Sequence, residues 1–372
     1  MKKIIHIALG KANPDRLNGV NKVVNELANH QAKLGYHVEL WGITKTPEIH
    51  NYSIRDYSTK LFHDISKFKL SNKLVKAIKT ADQSYFFHIH GAFIPQFFLI
   101  AKLLAKLDLQ YCYTSHGAFN KVALRKNKIV KYVYLNLFEK TIVKNAKYLH
   151  LMGESELINS RLIFNKSSLS LIPNGQKYEQ TIELVHSAVN KVLKLGFIGR
   201  IDIQTKGLDK LLYGLSEYIF TKSDQVILEI IGDGNDKEEL NTIITQLGLD
   251  KYVHVMGPRF NDEKNKFIKE WDYICLTSRN EGLPGVILES ASFGTPCIIS
   301  KETNLEKAVN KFNSGITLHN NTASNICQAI LKAHQTKNDN TLKYKQTNAR
   351  KMIIEDFNWS LIAKKHIENY EK

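Results

Sequence analysis

Short runs rich in β-branched and aromatic residues alternate with stretches whose apolar residues recur every three or four positions. In the first half, residues 4–9, 37–42, 84–90, 111–115, 148–152 and 169–172 read as strands. Between the first two lies VNKVVNELANHQAKLG. Its Val20, Val23, Val24, Leu27, Ala28 and Leu34 fall on one helical face, and Gly35 closes it. The second half keeps the rhythm. VLKLGFIG, VILEIIG, YVHVMG, DYICLTS and PCIIS are strand-like, each followed by a turn and then helix-like sequence. Such alternation specifies an α/β fold with parallel sheets covered on both faces.

At 372 residues the chain is about twice the usual domain size, so two domains are expected. The best linker is IPNGQKYEQTIELVHSAVNK, where Pro-Asn-Gly leads into weakly patterned polar sequence. Two α/β domains joined there would face a cleft, with ligands at the carboxyl ends of the strands.

The net charge of +16 is unevenly spread. Residues 1–180 hold 27 Lys and Arg against 12 Asp and Glu, a balance of +15; the remainder holds 25 against 24. That excess suits a plain soluble basic surface and equally a first domain facing a polyanion, either nucleic acid or anionic lipid. Cys112, Cys275, Cys297 and Cys327 are widely spaced and form no CxxC pair, which suits a reducing compartment. The apolar run at the N-terminus, Ile4 to Leu9, is too short for a signal-peptide core. AFIPQFFLIAKLLAKL is broken by Pro95, Gln96, Lys102 and Lys106, so it should not span a bilayer. A cytoplasmic location is expected.

Three segments carry candidate chemistry. GFIGRIDIQTKGLDKLL puts Gly199 and Arg200 after a strand and Lys206 and Gly207 before a helix. Two cations beside a glycine loop at a helix N-terminus suit an anion, and they equally suit a plain strand-to-helix turn. IIGDGNDKEEL offers Gly232 and Gly234 but no third glycine, so a dinucleotide fingerprint is incomplete, and no GxxxxGK[ST] occurs. SRNEGLPGVILES places Glu281 ahead of a helix and Glu289 inside it, with a Gly-Leu-Pro-Gly turn between. Acid, exposed N–H groups, then acid again suits a ligand with hydroxyls at both ends and phosphate in the middle. Acidic residues near a helix start arise without any ligand as well.

The segments GRIDIQTKG, IGDG, VMG and SRNEGLPGVILESASFGTPCIIS, in that order, resemble the nucleotide-binding domain of retaining GT-B glycosyltransferases. The Glu-x7-Glu spacing is similar to that of the large bacterial family that makes lipopolysaccharide, capsule and phosphatidylinositol mannosides. NGVNKVVNELANHQAKLGYHVEL resembles the family's first glycine loop, helix and second strand; TSHG its cleft histidine; and FNWSLIAKKHIENYEK its returning C-terminal helix. The resemblance implies two Rossmann-like domains facing a cleft. Residues 1–173 with 357–372 would bind the acceptor, and 177–356 the nucleotide-sugar.

It further implies that Arg200 and Lys206 hold the donor diphosphate and that Glu289 accepts from the ribose hydroxyls. Glu281, with backbone groups of Gly282 and Leu283, would hold the transferred sugar, and His116 would touch it from the opposite wall. Gly19, Gly199 and Gly232 would line the donor loops. The first loop departs from the family in having one glycine, Gly19 after Asn18, where two are common. Leu283-Pro284 stands where many members have an aromatic residue and glycine.

No metal or other cofactor is expected. His88 and His90 share a strand face near His116, but no Asp-x-Asp motif lies nearby, and cleft lining is the favoured role. In KVALRKNKIVKYVYLNLFEKTIVKNAK, the stripe of Ile129, Val130, Val133, Tyr134, Leu137 and Phe138 is assigned to the core. Arg125, Lys126, Lys128, Lys131, Lys140 and Lys144 are left for a membrane surface. The expected function is retaining transfer of a sugar from a nucleoside-diphosphate donor to a glycolipid or polysaccharide precursor. The enzyme would sit peripherally on the inner face of the cytoplasmic membrane. Alternatives are a basic nucleic-acid-binding protein, which lacks a recognisable binding module, and a GT-B sugar-nucleotide epimerase. No nucleic-acid partner is expected.

Overall fold

The computed structural model describes residues 3–13, 19–47, 55–125, 127–165, 168–179, 191–222 and 225–372. Asn18, Lys126 and linker positions 180–190 lie outside the described residues. The chain divides into two compact units, Met1–Gly175 with Trp359–Lys372, and Gln176–Asn358.

The first unit is built on a seven-stranded sheet. Its strands are β1 (Lys3–Leu9), β2 (Val38–Thr44), β3 (Ser58–His63), β4 (Tyr85–His90), β5 (Tyr111–Thr114), β6 (Tyr148–Leu151) and β7 (Leu169–Leu171). They lie in the order β3-β2-β1-β4-β5-β6-β7, every pair parallel. The second sheet comprises β8 (Leu193–Ile198), β9 (Val226–Ile231), β10 (Val253–Gly257), β11 (Tyr273–Leu276), β12 (Cys297–Ile299) and β13 (Gly315–Thr317). Its order is β10-β9-β8-β11-β12-β13, again all parallel. Both are doubly wound Rossmann-like sheets, as the strand–helix alternation requires.

Two strands escape the pattern reading, and both are sheet edges. β3 buries only Phe62 fully, so its sequence STKLFH is mostly polar. β13 has three residues. An edge strand packs on fewer neighbours and loses the continuous apolar run that betrays a central one.

The order reverses beside β1 in the first unit and beside β8 in the second. At such a reversal the loops leaving adjacent strands diverge and open a crevice at their carboxyl ends. In the second unit these are the loops after β8 and β11, which carry Gly199-Arg200 and Ser278–Glu281.

Helix Trp359–Glu371 closes the chain and belongs to the first unit. It packs Ile362, Ala363, Ile367 and Tyr370 inward, beside helix Gly19–Lys33. Tyr36 donates to Glu371 at 2.8 Å and Lys147 to the Tyr370 carbonyl at 3.1 Å. Among the described residues no helix is long and apolar enough to cross a membrane.

Candidate functional site

The β8 loop turns into the short helix Ile203–Lys206, whose start is capped by Asp202 accepting from the Thr205 N–H at 2.8 Å. Burial would raise the Asp202 carboxyl, but the Thr205 hydrogen bonds and nearby Arg200 and Lys206 hold it below its usual value. Gly207 follows at φ 65°, and a Cβ there would stand 2.1 Å from the Thr277 carbonyl. Glycine is therefore required for two reasons, the left-handed turn and the contact with the β11 loop. Thr277 donates back to the Gly207 carbonyl at 2.9 Å.

This contact joins the two loops. Lys206 Nζ lies 2.6 Å from Glu281 Oε1, and Ser278 donates to the same oxygen at 2.8 Å. Both charged side chains are largely sheltered, 19% and 13% exposed, so water screens the pair weakly. Asn304 donates to the carbonyls of Glu281 and Gly282 at 2.8 and 2.7 Å, fixing the loop's backbone. Gly199 lies beside the Lys206 stem, and Leu283 packs on the core of the unit. Gly232, at φ 152°, approaches Gly199 so closely that a Cβ would stand 1.9 Å from its carbonyl.

Arg279 is the residue that sequence reasoning missed. It grips Asp209 through two hydrogen bonds of 2.8 and 2.6 Å and donates to the carbonyls of Ile203 and Gln204. Burial would raise Asp209, but Arg279 outweighs it and keeps the carboxyl below its usual value. The Arg279 fork thus ties the β11 loop to the helix turn that presents Lys206. The only signal was an arginine two positions before Glu281, which carries no information about its partner.

Glu281 sits in the loop, and the following helix, Gly285–Ser292, starts after Pro284 rather than on it. Glu289 lies one turn inside that helix. Both of its carboxylate oxygens face Lys264, at 2.6 and 2.7 Å. Each oxygen retains a lone pair after that contact. Arg200 is 72% exposed and, among the described residues, pairs only with Asp202, at 3.6 Å. The structure therefore joins Lys206 to Glu281, holds Glu289 on a separate lysine, and leaves Arg200 facing water.

Gly19 and His116 belong to the first unit. Gly19 opens helix Gly19–Lys33, with no atom of the described residues within 4 Å of the place a Cβ would occupy. His116 follows β5 at φ 53°, half-buried, with its Nε2 3.2 Å from His90 Nδ1. His6, His88 and His90 present ring nitrogens within 4.8 Å of one another. All six of those nitrogens already have protein hydrogen-bond partners, so a metal there would displace an existing network.

One expectation is corrected for four of its six residues. Tyr134 and Phe138 of the stripe assigned to the core are half-buried against Phe93 and Phe98, but the others face outward: Ile129 is 81% exposed, Val130 70%, Val133 49% and Leu137 60%. Helical periodicity shows that an apolar face exists, not what covers it. Lys121, Arg125, Lys128, Lys131 and Lys140 line a pocket of about 540 Å³ with Leu124, Tyr132 and Leu162 beside this face.

Comparison with known proteins matches residues 180–352 to the family described as glycosyl transferases group 1. Residues 17–175 match glycosyltransferase family 4. The chain is 26% identical over 275 residues to an Escherichia coli protein named UDP-Gal:alpha-D-GlcNAc-diphosphoundecaprenol alpha-1,3-galactosyltransferase, covering 70% of this chain and 69% of that one. It is 22% identical over 321 residues to an uncharacterised glycosyltransferase of Methanocaldococcus jannaschii, covering 85% and 84%. Among solved structures, the apo lipopolysaccharide outer core galactosyltransferase WaaB superposes with a TM-score of 0.72 at 17% identity, over 100% of this chain and 99% of that one. HepE of Anabaena in complex with UDP-glucose gives 0.69 at 16%, over the whole of both chains. At these identities the structural likeness is one of fold, and that fold is GT-B. With its two units matched in turn by glycosyltransferase families, the chain is a GT-B glycosyltransferase of group 1.

Proposed function

We propose that the protein transfers a sugar from a nucleoside-diphosphate donor to a hydroxyl of a lipid-linked or polysaccharide-precursor acceptor, with retention at the anomeric carbon. The observation that carries this reading is the Lys206–Glu281–Ser278 group at the strand reversal of the second unit. Lys206 and exposed Arg200 supply positive charge for a diphosphate, and the N–H groups opening helix Gly285–Ser292 add to it. Glu281, its backbone loop fixed by Asn304, accepts from hydroxyls of the transferred sugar together with Gly282 and Leu283. Glu289 accepts from the ribose with the lone pairs that Lys264 leaves. Gly19, Gly199 and Gly232 let backbone approach the donor, and His116 meets the sugar. The names of similar proteins support the substrate classes: a UDP-sugar with a diphosphoundecaprenol-linked acceptor in one, UDP-glucose in another.

Glu281 and Glu289 are each ion-paired to a lysine, which suits hydroxyl acceptors better than nucleophiles. A front-face departure follows. The bond from the anomeric carbon to the diphosphate breaks, and its electron pair goes to the leaving oxygen. The acceptor hydroxyl bonds to the carbon on the same face, and its proton passes to the departing phosphate. Lys206 and Arg200 stabilise the charge that grows there, so no metal is required. Transfer from an α-linked donor should continue in excess EDTA and give an α-linked product by proton NMR of its anomeric signal. Loss of turnover in EDTA with recovery on adding manganese, or an inverted product, contradicts the reading.

The acceptor side supports a membrane surface. Each Lys or Arg near an anionic leaflet contributes about 1 kcal/mol, screened within roughly 8–10 Å at physiological salt. The exposed Ile129, Val130, Val133 and Leu137 add shallow burial among headgroups. The full chain should therefore sediment with anionic vesicles and not with neutral ones. Val130→Asp should weaken that binding, and high salt should reverse most of it. A chain that ignores anionic vesicles at low salt removes the membrane from the account.

A further inference from the structure

Behind His116 runs an unbroken file of hydrogen-bonding side chains, all within the first unit. His150 Nε2 is 2.8 Å from the Ile172 carbonyl, and His150 Nδ1 is 2.8 Å from Thr114 Oγ1. Thr114 Oγ1 is 2.6 Å from His88 Nε2, and His88 Nδ1 is 2.7 Å from the Tyr370 hydroxyl. The Gln31 amide nitrogen is 3.1 Å from that hydroxyl, and its oxygen is 2.7 Å from His6 Nε2. His6 Nδ1 lies 2.8 Å from His90 Nε2, and His90 Nδ1 lies 3.2 Å from His116 Nε2.

The Ile172 carbonyl can only accept, and this sets every proton in the file. His150 must carry its proton on Nε2, so its Nδ1 accepts from the Thr114 hydroxyl. Thr114 has then spent its single proton and must accept from His88 Nε2–H. His88 Nδ1 accepts from the Tyr370 hydroxyl, which therefore accepts from the Gln31 amide nitrogen. The Gln31 oxygen is thereby turned to His6 and accepts from its Nε2–H. His6 Nδ1 accepts from His90 Nε2–H, and His90 Nδ1 accepts from His116 Nε2–H. The logic holds for neutral rings. Burial keeps them so, with His6 and His150 pushed down to about 4 and His116 to about 3. Gln31 joins the two halves of the file, since either amide orientation alone satisfies its neighbours but only one agrees with Ile172.

We infer that this file, anchored on the Ile172 carbonyl and turned through Gln31, fixes His116 as the Nε2–H tautomer and leaves its Nδ1 as a hydrogen-bond acceptor. Gln31 and Tyr370 are then positioning residues that reach no substrate themselves. Nδ1 of His116 has no protein partner among the described residues, so its lone pair is open to a hydroxyl. The assignment of that hydroxyl to a sugar rests on the proposed function; the tautomer does not.

Two readouts separate the claims. In protein labelled with 15N-histidine, long-range proton–nitrogen correlation distinguishes Nε2–H from Nδ1–H rings, and the His116 signals are identified by their loss in His116→Gln. Wild type should show His116 as Nε2–H at pH 7 without any ligand. Tyr370→Phe removes one oxygen on the C-terminal helix, and Gln31→Met removes the turn in the file; each should shift His116 to a tautomer mixture. With a working transfer assay, the same variants should lose about tenfold or more in kcat with donor KM little changed, the scale on which outer partners that orient a histidine act at metal sites. A wild-type His116 protonated on Nδ1, or an unchanged tautomer in both variants, overturns the inference. A shifted tautomer with undiminished kcat keeps the file but removes His116 Nδ1 from the reaction.

Discussion

Lys206→Ala is expected to lower kcat by about 10²- to 10³-fold, the scale on which a single preorganised donor to a developing negative charge acts. The lysine holds two positions at once. Its ammonium neutralises Glu281 at 2.6 Å, and its stem lies beside Gly199 at the loop proposed to face the diphosphate. Removing it leaves Glu281, among the described residues, with the Ser278 hydroxyl alone, so the carboxylate both repels a phosphate and loses its fixed orientation. Lys206→Met keeps the stem and discards the charge, which separates packing from electrostatics. Both variants should melt close to wild type, because Gly207, Thr277, Arg279 and Asp209 still tie the loops together. The check is kcat at saturating donor set against the melting temperature. Near-normal turnover in Lys206→Met removes the ammonium from the mechanism.

The first unit should lose several kcal/mol of stability between pH 7 and pH 5.5. His6, His88, His90, His150 and His366 are all at most 3% exposed. Burial holds each of them below the ordinary imidazole value, and neighbouring imidazoles push His88, His90 and His366 down further. A histidine whose folded pKa is lowered stays neutral in the fold while the unfolded chain takes up a proton. Stability is therefore lost as pH falls below about 6.5, and the loss continues toward about 4, where His6 and His150 titrate in the fold. Each contributes about 1 kcal/mol over this window. Glu139 and Glu156 work in the opposite sense. Burial raises both carboxyls, Glu139 to about 7, so they take up protons in the fold as pH falls, and Glu139 alone returns about 1 to 2 kcal/mol. The five histidines outweigh the two carboxyls, against a total of about 5 to 15 kcal/mol for a typical domain. Hydrogen exchange at β1, β4 and β6 should accelerate steeply from pH 7 to 5.5 after correction for intrinsic rates, while β8 and β9 change less. Equal behaviour of both units contradicts the prediction.

How much of this was legible in the sequence differs from feature to feature. The central strands were, because parallel strands buried on both faces carry uninterrupted apolar runs such as YICL of β11. The edge strands β3 and β13 were not, for the converse reason. Lys206 and Glu281 could each be nominated from the ends of strand-like runs, but their pairing depends on β8 and β11 lying side by side. The partners Arg279–Asp209 and Lys264–Glu289 are 70 and 25 residues apart, and no spacing rule relates them. His88 and His90 stood out as an alternating pair on one strand. Gln31 and Tyr370, which settle where the protons sit, come from two helices at opposite ends of the sequence. Ile129, Val130, Val133 and Leu137 were misassigned because amphipathicity identifies a face without naming its neighbour.

The most direct test of the central claim, that the second unit holds a nucleoside-diphosphate sugar without a metal, is a melting-temperature titration in EDTA. The full chain would be heated with UDP, GDP, ADP and CDP and with the corresponding sugar nucleotides. Ligand bound only by the native state at a hundred times its Kd contributes about 2.7 kcal/mol, a shift of a few degrees for a domain of this size. The account predicts that at least one nucleoside diphosphate and its sugar form raise the melting temperature, and that Arg200→Ala and Lys206→Met abolish most of the shift. No stabilisation by any nucleotide, or a shift that survives in both variants, contradicts it.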